Sequence, residues 1–172
     1  MNLKSMLFAA TLALASFSAH AVDGCTVVLC LANPAGWSSV SQCVPPIEQL
    51  FSDLAHGHAF PSCNMNSSSS SGQNNSATSG WASGYNCPVQ YRYMGGPENN
   101  VPMCTWSGVI TVTINGQPWN QTWWSFGGGS VTQSFAPAIA AGASNSQWQQ
   151  DAAAYDAQQA ALAAAAAQDQ GH

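Results

Sequence analysis

Charged side chains are scarce in this chain, and basic ones are nearly missing. Only two of its 172 residues are Lys or Arg, against seven Asp or Glu, and charged residues make up 5% of the total. Proteins bind nucleic acid through several Lys or Arg side chains that neutralise phosphates. The composition therefore predicts no nucleic-acid partner. Because acidic residues outnumber basic ones, the chain also repels anionic lipid headgroups, and docking to them is disfavoured.

Sequence motifs for several enzyme classes are also missing. A thiol redox enzyme would carry Cys-x-x-Cys and an α/β-hydrolase would carry Gly-x-Ser-x-Gly, but neither occurs. His56 and His58 near Cys63 form a candidate metal set, yet cysteines of exported proteins are more often oxidised than bound to zinc. Glu48 and Asp53 could supply the paired carboxylates of a glycoside hydrolase. They lie on the polar face of a predicted short helix, however, where acids are usually just solvated. We predict no enzymatic activity, no metal and no cofactor.

Residues 1–21 have the pattern of a cleavable signal peptide. Lys4 provides the positive start, residues 6–17 are apolar, and Ala19-His20-Ala21 places small residues where a signal peptidase reads them. The apolar stretch is shorter than the roughly 20 residues that span a bilayer, and no second one follows. We expect a mature chain without a transmembrane segment, in the periplasm or secreted. Lipidation of Cys25 is the alternative.

All six cysteines follow the predicted cleavage site, and an even number in an exported chain indicates a disulfide framework. Six cysteines allow many pairings. Cys25 and Cys30 are five residues apart, so they point to different faces of a helix or opposite faces of a strand, which disfavours a bond between them. From the remaining patterns we choose Cys25–Cys63, Cys30–Cys43 and Cys87–Cys104.

Residues 22–66 form the first predicted unit, a cysteine-rich helical segment. The apolar run 25–31 is too short to distinguish helix from strand. Pro45-Pro46 and Gly57 bound a second element, and its apolar residues have helical spacing: Ile47, Leu50, Phe51 and Leu54. We expect this amphipathic helix to pack on the first run, where the disulfides hold it.

Residues 67–86 and 87–135 differ sharply in pattern. Residues 67–80 contain no large apolar side chain, so 67–86 are predicted to be a flexible linker rich in Ser, Gly and Asn. Residues 87–135 alternate as in an antiparallel β meander, with a first strand around residues 89–94. Asn115-Gly116 is the dipeptide that a two-residue type I′ hairpin turn prefers.

The hairpin turn implies a register for its two strands. In that register Val112 faces Trp119 and Gly108 faces Trp123, and we expect this side to be the core face. Trp124 and Phe126 then share the opposite side, which either meets the N-terminal segment or forms a binding surface.

Residues 136–172 predict a C-terminal helix and tail rich in Ala and Gln. Its apolar stripe is thin and includes Trp148 and Tyr155, so the helix either docks on its own domain or contacts a partner. The candidate partner-binding residues are therefore Trp124, Phe126, Trp148 and Tyr155. The predicted fold class is α+β: a small disulfide-stapled helical N-terminal segment, a Ser-rich linker, an antiparallel β-hairpin or meander, and a C-terminal Ala-rich helix.

One block, residues 22 to about 63, carries a specific pattern of four cysteines. Its segments are Cys25-Thr26-Val27-Val28-Leu29-Cys30-Leu31, Asn33-Pro34-Ala35-Gly36, Gln42-Cys43-Val44-Pro45-Pro46-Ile47 and Phe60-Pro61-Ser62-Cys63. Their order and spacing resemble the TrbM/KikA family of conjugal transfer proteins. The resemblance does not extend to the rest of the chain.

The resemblance implies a periplasmic accessory protein of plasmid conjugation. Such a protein supports the mating-pair formation apparatus of a type IV secretion system through contacts with other proteins, without enzymatic activity or cofactor. Only Cys25, Cys30, Cys43 and Cys63 carry over, in a structural role. A secreted adhesin or glycan-binding module that uses the hairpin tryptophans is the alternative function.

Overall fold

The computed structural model describes residues 22–63 and 75–169. Within these ranges the chain is α+β, with helices at both ends and two antiparallel sheets between them, which confirms the predicted fold class. The predicted signal peptide 1–21, the part of the predicted linker before residue 75 and the tail 170–172 lie outside the described residues.

Two helices build the N-terminal unit: α1 (Gly24–Leu31) and α2 (Val44–Ala55). Asp23 caps α1, because its carboxylate accepts hydrogen bonds from the hydroxyl and the backbone N–H of Thr26, and these bonds lower the pKa of Asp23. The apolar run 25–31, which the sequence left open, is therefore helical. The amphipathic helix is confirmed, with prolines in its first turn and Ile47 and Leu50 buried against the core.

The six cysteines form the three predicted disulfides. Cys25 bonds to Cys63, Cys30 to Cys43 and Cys87 to Cys104, with Cα–Cα distances of 4.7, 5.4 and 5.5 Å. The Cys30–Cys43 bond ties the end of α1 to the start of α2, and both of its cysteines are buried. Stable disulfides form in oxidising compartments, so this chain folds outside a reducing cytosol.

The main sheet has four strands in the order β1-β4-β5-β6, and a separate hairpin pairs β2 with β3. The strands of this region are β1 (Ser76–Trp81), β2 (Arg92–Gly95), β3 (Val101–Cys104), β4 (Gly108–Ile114), β5 (Gln117–Trp124) and β6 (Ser130–Ser134). The predicted strand near residue 89 begins later, because Val89–Tyr91 form a short 3₁₀ turn after Pro88.

Strand β1 corrects the prediction of a flexible linker over 67–86 at residues 76–81. Residues 76–81 pair with β4 along their whole length, from Ser76 opposite Thr113 to Trp81 opposite Gly108. Most of these side chains are exposed, so the strand is held through its backbone hydrogen bonds. Apart from Ala77 and Trp81, the strand consists of Ser, Thr and Gly, which is why the composition did not reveal it.

The hairpin between β4 and β5 turns at Asn115-Gly116, as predicted. Their φ angles of 55° and 73° are the left-handed values that a type I′ turn requires. Next to the turn the predicted register holds, with Ile114 opposite Gln117 and Thr113 opposite Pro118.

A β-bulge then shifts the register of this hairpin by one residue. Val112 pairs with Asn120 instead of Trp119, and Gly108 pairs with Trp124 instead of Trp123. The predicted register beyond the turn is therefore wrong, because an extra residue on β5 is invisible to a rule that counts outward from the turn. The core face of β4 was assigned correctly, but that of β5 was not.

The bulge brings two neighbouring side chains of β5 to the C-terminal end of α1. Trp119 Nε1 donates to the carbonyl oxygen of Ala32 at 2.8 Å, and Asn120 Nδ2 donates to that of Leu31 at 2.6 Å. The last carbonyls of a helix have no partner within the helix, so outside donors must satisfy them. The hairpin therefore caps α1.

The core lies between the helix pair and the main sheet. Buried side chains from α1, α2, β4 and β5 form it, and its members are Val27, Cys30, Leu31, Cys43, Ile47, Leu50, Leu54, Ile110, Val112 and Trp124. The side of β5 that carries Trp124 therefore meets the N-terminal segment, which was one of the two alternatives. Trp123 is also buried, opposite Val109 and Val131.

Replacing Asn120 with Ala tests the capping of α1. Asn120 is 3% exposed, and its loss leaves the Leu31 carbonyl without a donor in the protein interior. We expect the free energy of unfolding to fall by about 1–3 kcal/mol. Urea unfolding followed by tryptophan fluorescence measures this, with the exposed Asn100→Ala as the matched control. Equal unfolding midpoints for the two variants would contradict the capping role.

Candidate functional site

Five aromatic rings form a continuous group at one flank of the core, which we call the aromatic cluster: Trp37, Phe51, Trp81, Trp124 and Phe126. Trp124 is central, since its ring centroid lies 6.1 Å from that of Phe51, 6.0 Å from Trp81 and 5.7 Å from Phe126. Trp37 meets Phe51 edge-on at 5.9 Å. These separations lie within the range of favourable ring contacts.

The cluster is buried at its centre and exposed at its outer end. Trp124 is 2% exposed, whereas Trp81 is 57% and Phe126 is 60% exposed. The centroids of the two exposed rings are 5.8 Å apart, so they form one apolar patch. An exposed apolar patch of this kind is a candidate interaction site. Trp124 supports this patch from below and has no free ring face to offer a partner.

Two local features of the chain place these rings. Gly108 faces Trp124 across the hairpin, and a Cβ atom at Gly108 would lie 2.6 Å from the indole, so only glycine allows this close approach. Phe126 sits at the start of the loop between β5 and β6, where its N–H donates to Ser107 Oγ at 3.1 Å. Gly128 and Gly129 close that loop with positive φ angles.

A cleft of about 420 Å³ opens beside Phe126, between α2 and the β5–β6 loop. Aromatic side chains of Trp37, Phe51 and Phe126 line it. Glu48 and Ser52 on α2, and His56 just after its last residue, contribute polar groups on one side, because they follow one another at four-residue spacing. The cleft therefore combines flat apolar walls with a row of hydrogen-bonding groups.

A smaller cleft of about 180 Å³ borders Trp81 and contains His58. The two histidines of the sequence-derived candidate metal set are not brought together with a thiolate, since Cys63 is oxidised. His56 Nδ1 lies 2.7 Å from the carbonyl oxygen of Ser52, and His58 Nδ1 lies 3.9 Å from Asp53. Across residues 22–63 and 75–169, no group of three or more His, Cys, Asp or Glu could hold a metal ion.

Two of the four predicted partner-binding residues, Trp148 and Tyr155, lie on the C-terminal helix α4 (Ser146–Asp169), which follows a short α3 (Ala136–Ala140). Trp148 is half-buried and meets Tyr91 edge-on at 5.6 Å. The Tyr91 hydroxyl donates to Asp151 at 2.5 Å, and burial together with this bond raises the pKa of Tyr91. The first turns of α4 therefore dock within the chain.

The rest of α4 extends beyond that docked part. Tyr155 is half-buried, and every residue of 156–169 is exposed, including Leu162. No helix of the described ranges is long and apolar enough to cross a membrane. Of the four predicted residues, Phe126 is thus the one whose ring is mainly exposed, and the structure adds Trp81 beside it.

The fold and its surface define a disulfide-braced α+β protein with an exposed aromatic patch and an adjoining cleft. Comparison with known proteins adds no relative: no family model, no curated protein and no solved structure matches the chain. The resemblance to the TrbM/KikA family therefore rests on the cysteine block alone.

Proposed function

We propose that this protein is a non-enzymatic periplasmic accessory protein of plasmid conjugation, which supports assembly of the type IV secretion apparatus through contacts with other proteins. The observation that carries the proposal is the exposed aromatic patch of Trp81 and Phe126. Tryptophan is among the residues that dominate binding energy in protein interfaces. The patch offers a partner two adjacent exposed rings, which pack on the buried ring of Trp124.

The cysteine block supports the process named in this proposal. Its four cysteines pair with one another, so residues 24–63 form a closed disulfide unit around α1 and α2. That unit contributes Phe51, on which Trp124 stacks beneath the exposed patch. The block that resembles the conjugation family is thus the frame on which the contact surface is built.

The charge of the chain limits the partner. Acidic residues outnumber basic ones seven to two, and neither Trp81 nor Phe126 adds charge to the patch. Complementary charge speeds association, whereas like charge opposes it. A partner with a neutral or basic docking surface fits this protein best.

A mating assay tests the proposed function. In a conjugative donor that carries this gene, we expect deletion of the gene to lower transfer frequency and the wild-type gene to restore it. Complementation with Trp81→Ser should restore transfer poorly, since loss of an interface tryptophan costs about 2 kcal/mol or more of binding. Tyr85→Ser is the matched control, because Tyr85 is 83% exposed and lies outside the aromatic cluster. Transfer that is unchanged by the deletion overturns the proposal.

The cleft beside Phe126 favours a second function, binding of a cell-wall saccharide. Aromatic rings stack on the apolar faces of sugar rings, and Glu48, Ser52 and His56 provide partners for hydroxyl groups. Its volume of about 420 Å³ falls within the usual range of small-ligand sites.

Tryptophan fluorescence titrated with N-acetylglucosamine oligomers separates this function from the first. Saccharide binding predicts a saturable change that is lost in Phe126→Ser and weakened in Glu48→Gln. Trp124 is unsuited to this test, since its removal disturbs the core. A flat titration of the wild-type protein excludes binding of these oligomers and leaves the mating assay as the test of function.

A further inference from the structure

Strand β6 is the last strand of the main sheet, so one of its two edges has no neighbouring strand among the described residues. The backbone of an edge strand presents N–H and C=O groups that another extended chain can pair with. Which groups of β6 point outward follows from its pairing with β5.

The hydrogen bond from Phe135 N–H to the carbonyl of Trp119, 3.0 Å long, sets this pattern. Along an antiparallel pair, residues that exchange hydrogen bonds alternate with residues that do not. Counting from that bond, Gln133 and Val131 direct their backbone groups towards β5. The residues that direct theirs to the free edge are Ser130, Thr132 and Ser134.

Asn145 confirms this orientation, because its side chain pairs with the outward backbone groups of Ser134. Its side-chain Oδ1 accepts from Ser134 N–H at 2.6 Å, and its Nδ2 donates to the Ser134 carbonyl at 2.7 Å. A side-chain amide offers the same donor and acceptor as a peptide group. At Ser134 the protein therefore already pairs its own edge with a peptide-like group, in the pattern of an added strand.

The next two outward positions lack such a partner. Among the described residues, the backbone groups of Ser130 and Thr132 make no hydrogen bond on this edge. A groove of about 330 Å³ runs beside them, and Trp37 and Gln147, at the start of α4, are among the other residues that line it. All residues that line the groove are uncharged.

We propose that the outer edge of β6 binds an extended peptide segment of a partner protein, which adds to the main sheet as a further strand. The backbone of the segment pairs with Ser130 and Thr132, and Trp37 receives one of its apolar side chains. Main-chain bonds supply affinity in this binding mode, and side-chain pockets supply specificity. Asn145 ends the pairing at Ser134, so the paired stretch is short.

The chemistry of the segment follows from the groove and from the whole chain. An uncharged groove in a protein with excess acid favours a neutral or basic segment over an acidic one. The inference deepens the proposed function, on which it rests for the biological partner. Its test uses purified protein, so peptide binding can be found even where the mating assay fails, and the reverse also holds.

Random octapeptides displayed on phage are the probe, selected on the purified chain. We compare the selected peptides on Ser130→Pro and Ser130→Ala, which lose the same hydroxyl and differ in the backbone N–H. Proline is tolerated at the first residue of a strand and on an edge, and the Ser130 N–H faces away from β5. We expect Ser130→Pro to weaken binding about tenfold or more, which equals about 1.4 kcal/mol, and Ser130→Ala to bind like the wild type.

A second measurement keeps the protein unchanged, in case Ser130→Pro folds poorly. Backbone N-methylation of one selected peptide, residue by residue, removes its N–H groups in turn. Strand addition predicts an alternating result, in which methylation at every second residue abolishes binding and methylation between them does not. The proposal is overturned if no peptide is selected, if selected peptides bind a folded Ser130→Pro as well as wild type, or if methylation shows no alternation.

Discussion

Replacing both Cys30 and Cys43 with Ala is expected to lower the free energy of unfolding by about 2–5 kcal/mol. This disulfide closes a loop of 13 residues in sequence separation and joins α1 to α2 within the core. Helix α1 has only eight residues, and isolated helices of that length are unstable in water. Without the bond, α1 depends on its packing and on the hairpin that caps it.

Urea unfolding of the purified protein measures this loss, with tryptophan fluorescence as the signal. The matched control replaces Cys87 and Cys104 with Ala in the same way. That bond joins Cys87, which precedes β2, to Cys104 at the end of β3. Neither cysteine belongs to the core between the helices and the main sheet. We expect the control to leave the main unfolding transition closer to that of the wild type. If both double variants unfold at the same urea concentration, the Cys30–Cys43 bond has no special role in the core.

Trp124→Ala is expected to destabilise the protein by about 3–5 kcal/mol, the usual cost of removing a large buried aromatic side chain. The indole contacts the rings of Phe51, Trp81 and Phe126, and Gly108 leaves the space that it fills. Its removal opens a cavity between α2 and the main sheet. It also removes the support beneath the two exposed rings.

Thermal unfolding followed by circular dichroism measures this effect. For a chain of this size, a loss of that magnitude lowers the midpoint by roughly 10 °C. Phe126→Ala is the control, since Phe126 is 60% exposed and contributes little buried area. Similar midpoints for the two variants would show that Trp124 does not hold the cluster together.

Features set by neighbouring residues could be predicted from the sequence. The spacing of Ile47 and Leu50 defined α2, and the Asn115-Gly116 dipeptide defined the hairpin turn. Helix α4 followed from its Ala-rich composition, although it begins at Ser146, after a separate short α3. The choice of disulfides was also confirmed, although the sequence excluded only one pairing by argument.

Features set by distant residues could not be predicted in this way. At the bulge, Trp119 donates a hydrogen bond to the carbonyl of Ala32 at the end of α1. No residue near the turn therefore indicates that the bulge is there. Strand β1 is held by backbone hydrogen bonds to β4. Its polar residues are mostly exposed, so they form no apolar pattern that would predict a strand.

The candidate site shows the same limit. Phe126 was recognised because it belongs to a dense aromatic region, whereas Trp81 was hidden in a segment with the composition of a linker. The signal that could have found Trp81 is a single large aromatic residue among Gly and Ser. The cleft itself joins Glu48 of α2 to Gly128 of a distant loop, and only the folded chain brings them together.

The capping of α1 by β5 has a consequence for the order of folding. The Asn120 donor that completes α1 lies 89 residues further along the chain than its Leu31 acceptor. If the chain is exported from its N-terminus, α1 reaches the oxidising compartment long before its cap does. Contacts between such distant residues slow folding, because a long loop must close first. The nearby Cys30–Cys43 pair can form early, and it would then keep α1 beside α2 until the late-arriving hairpin completes the helix.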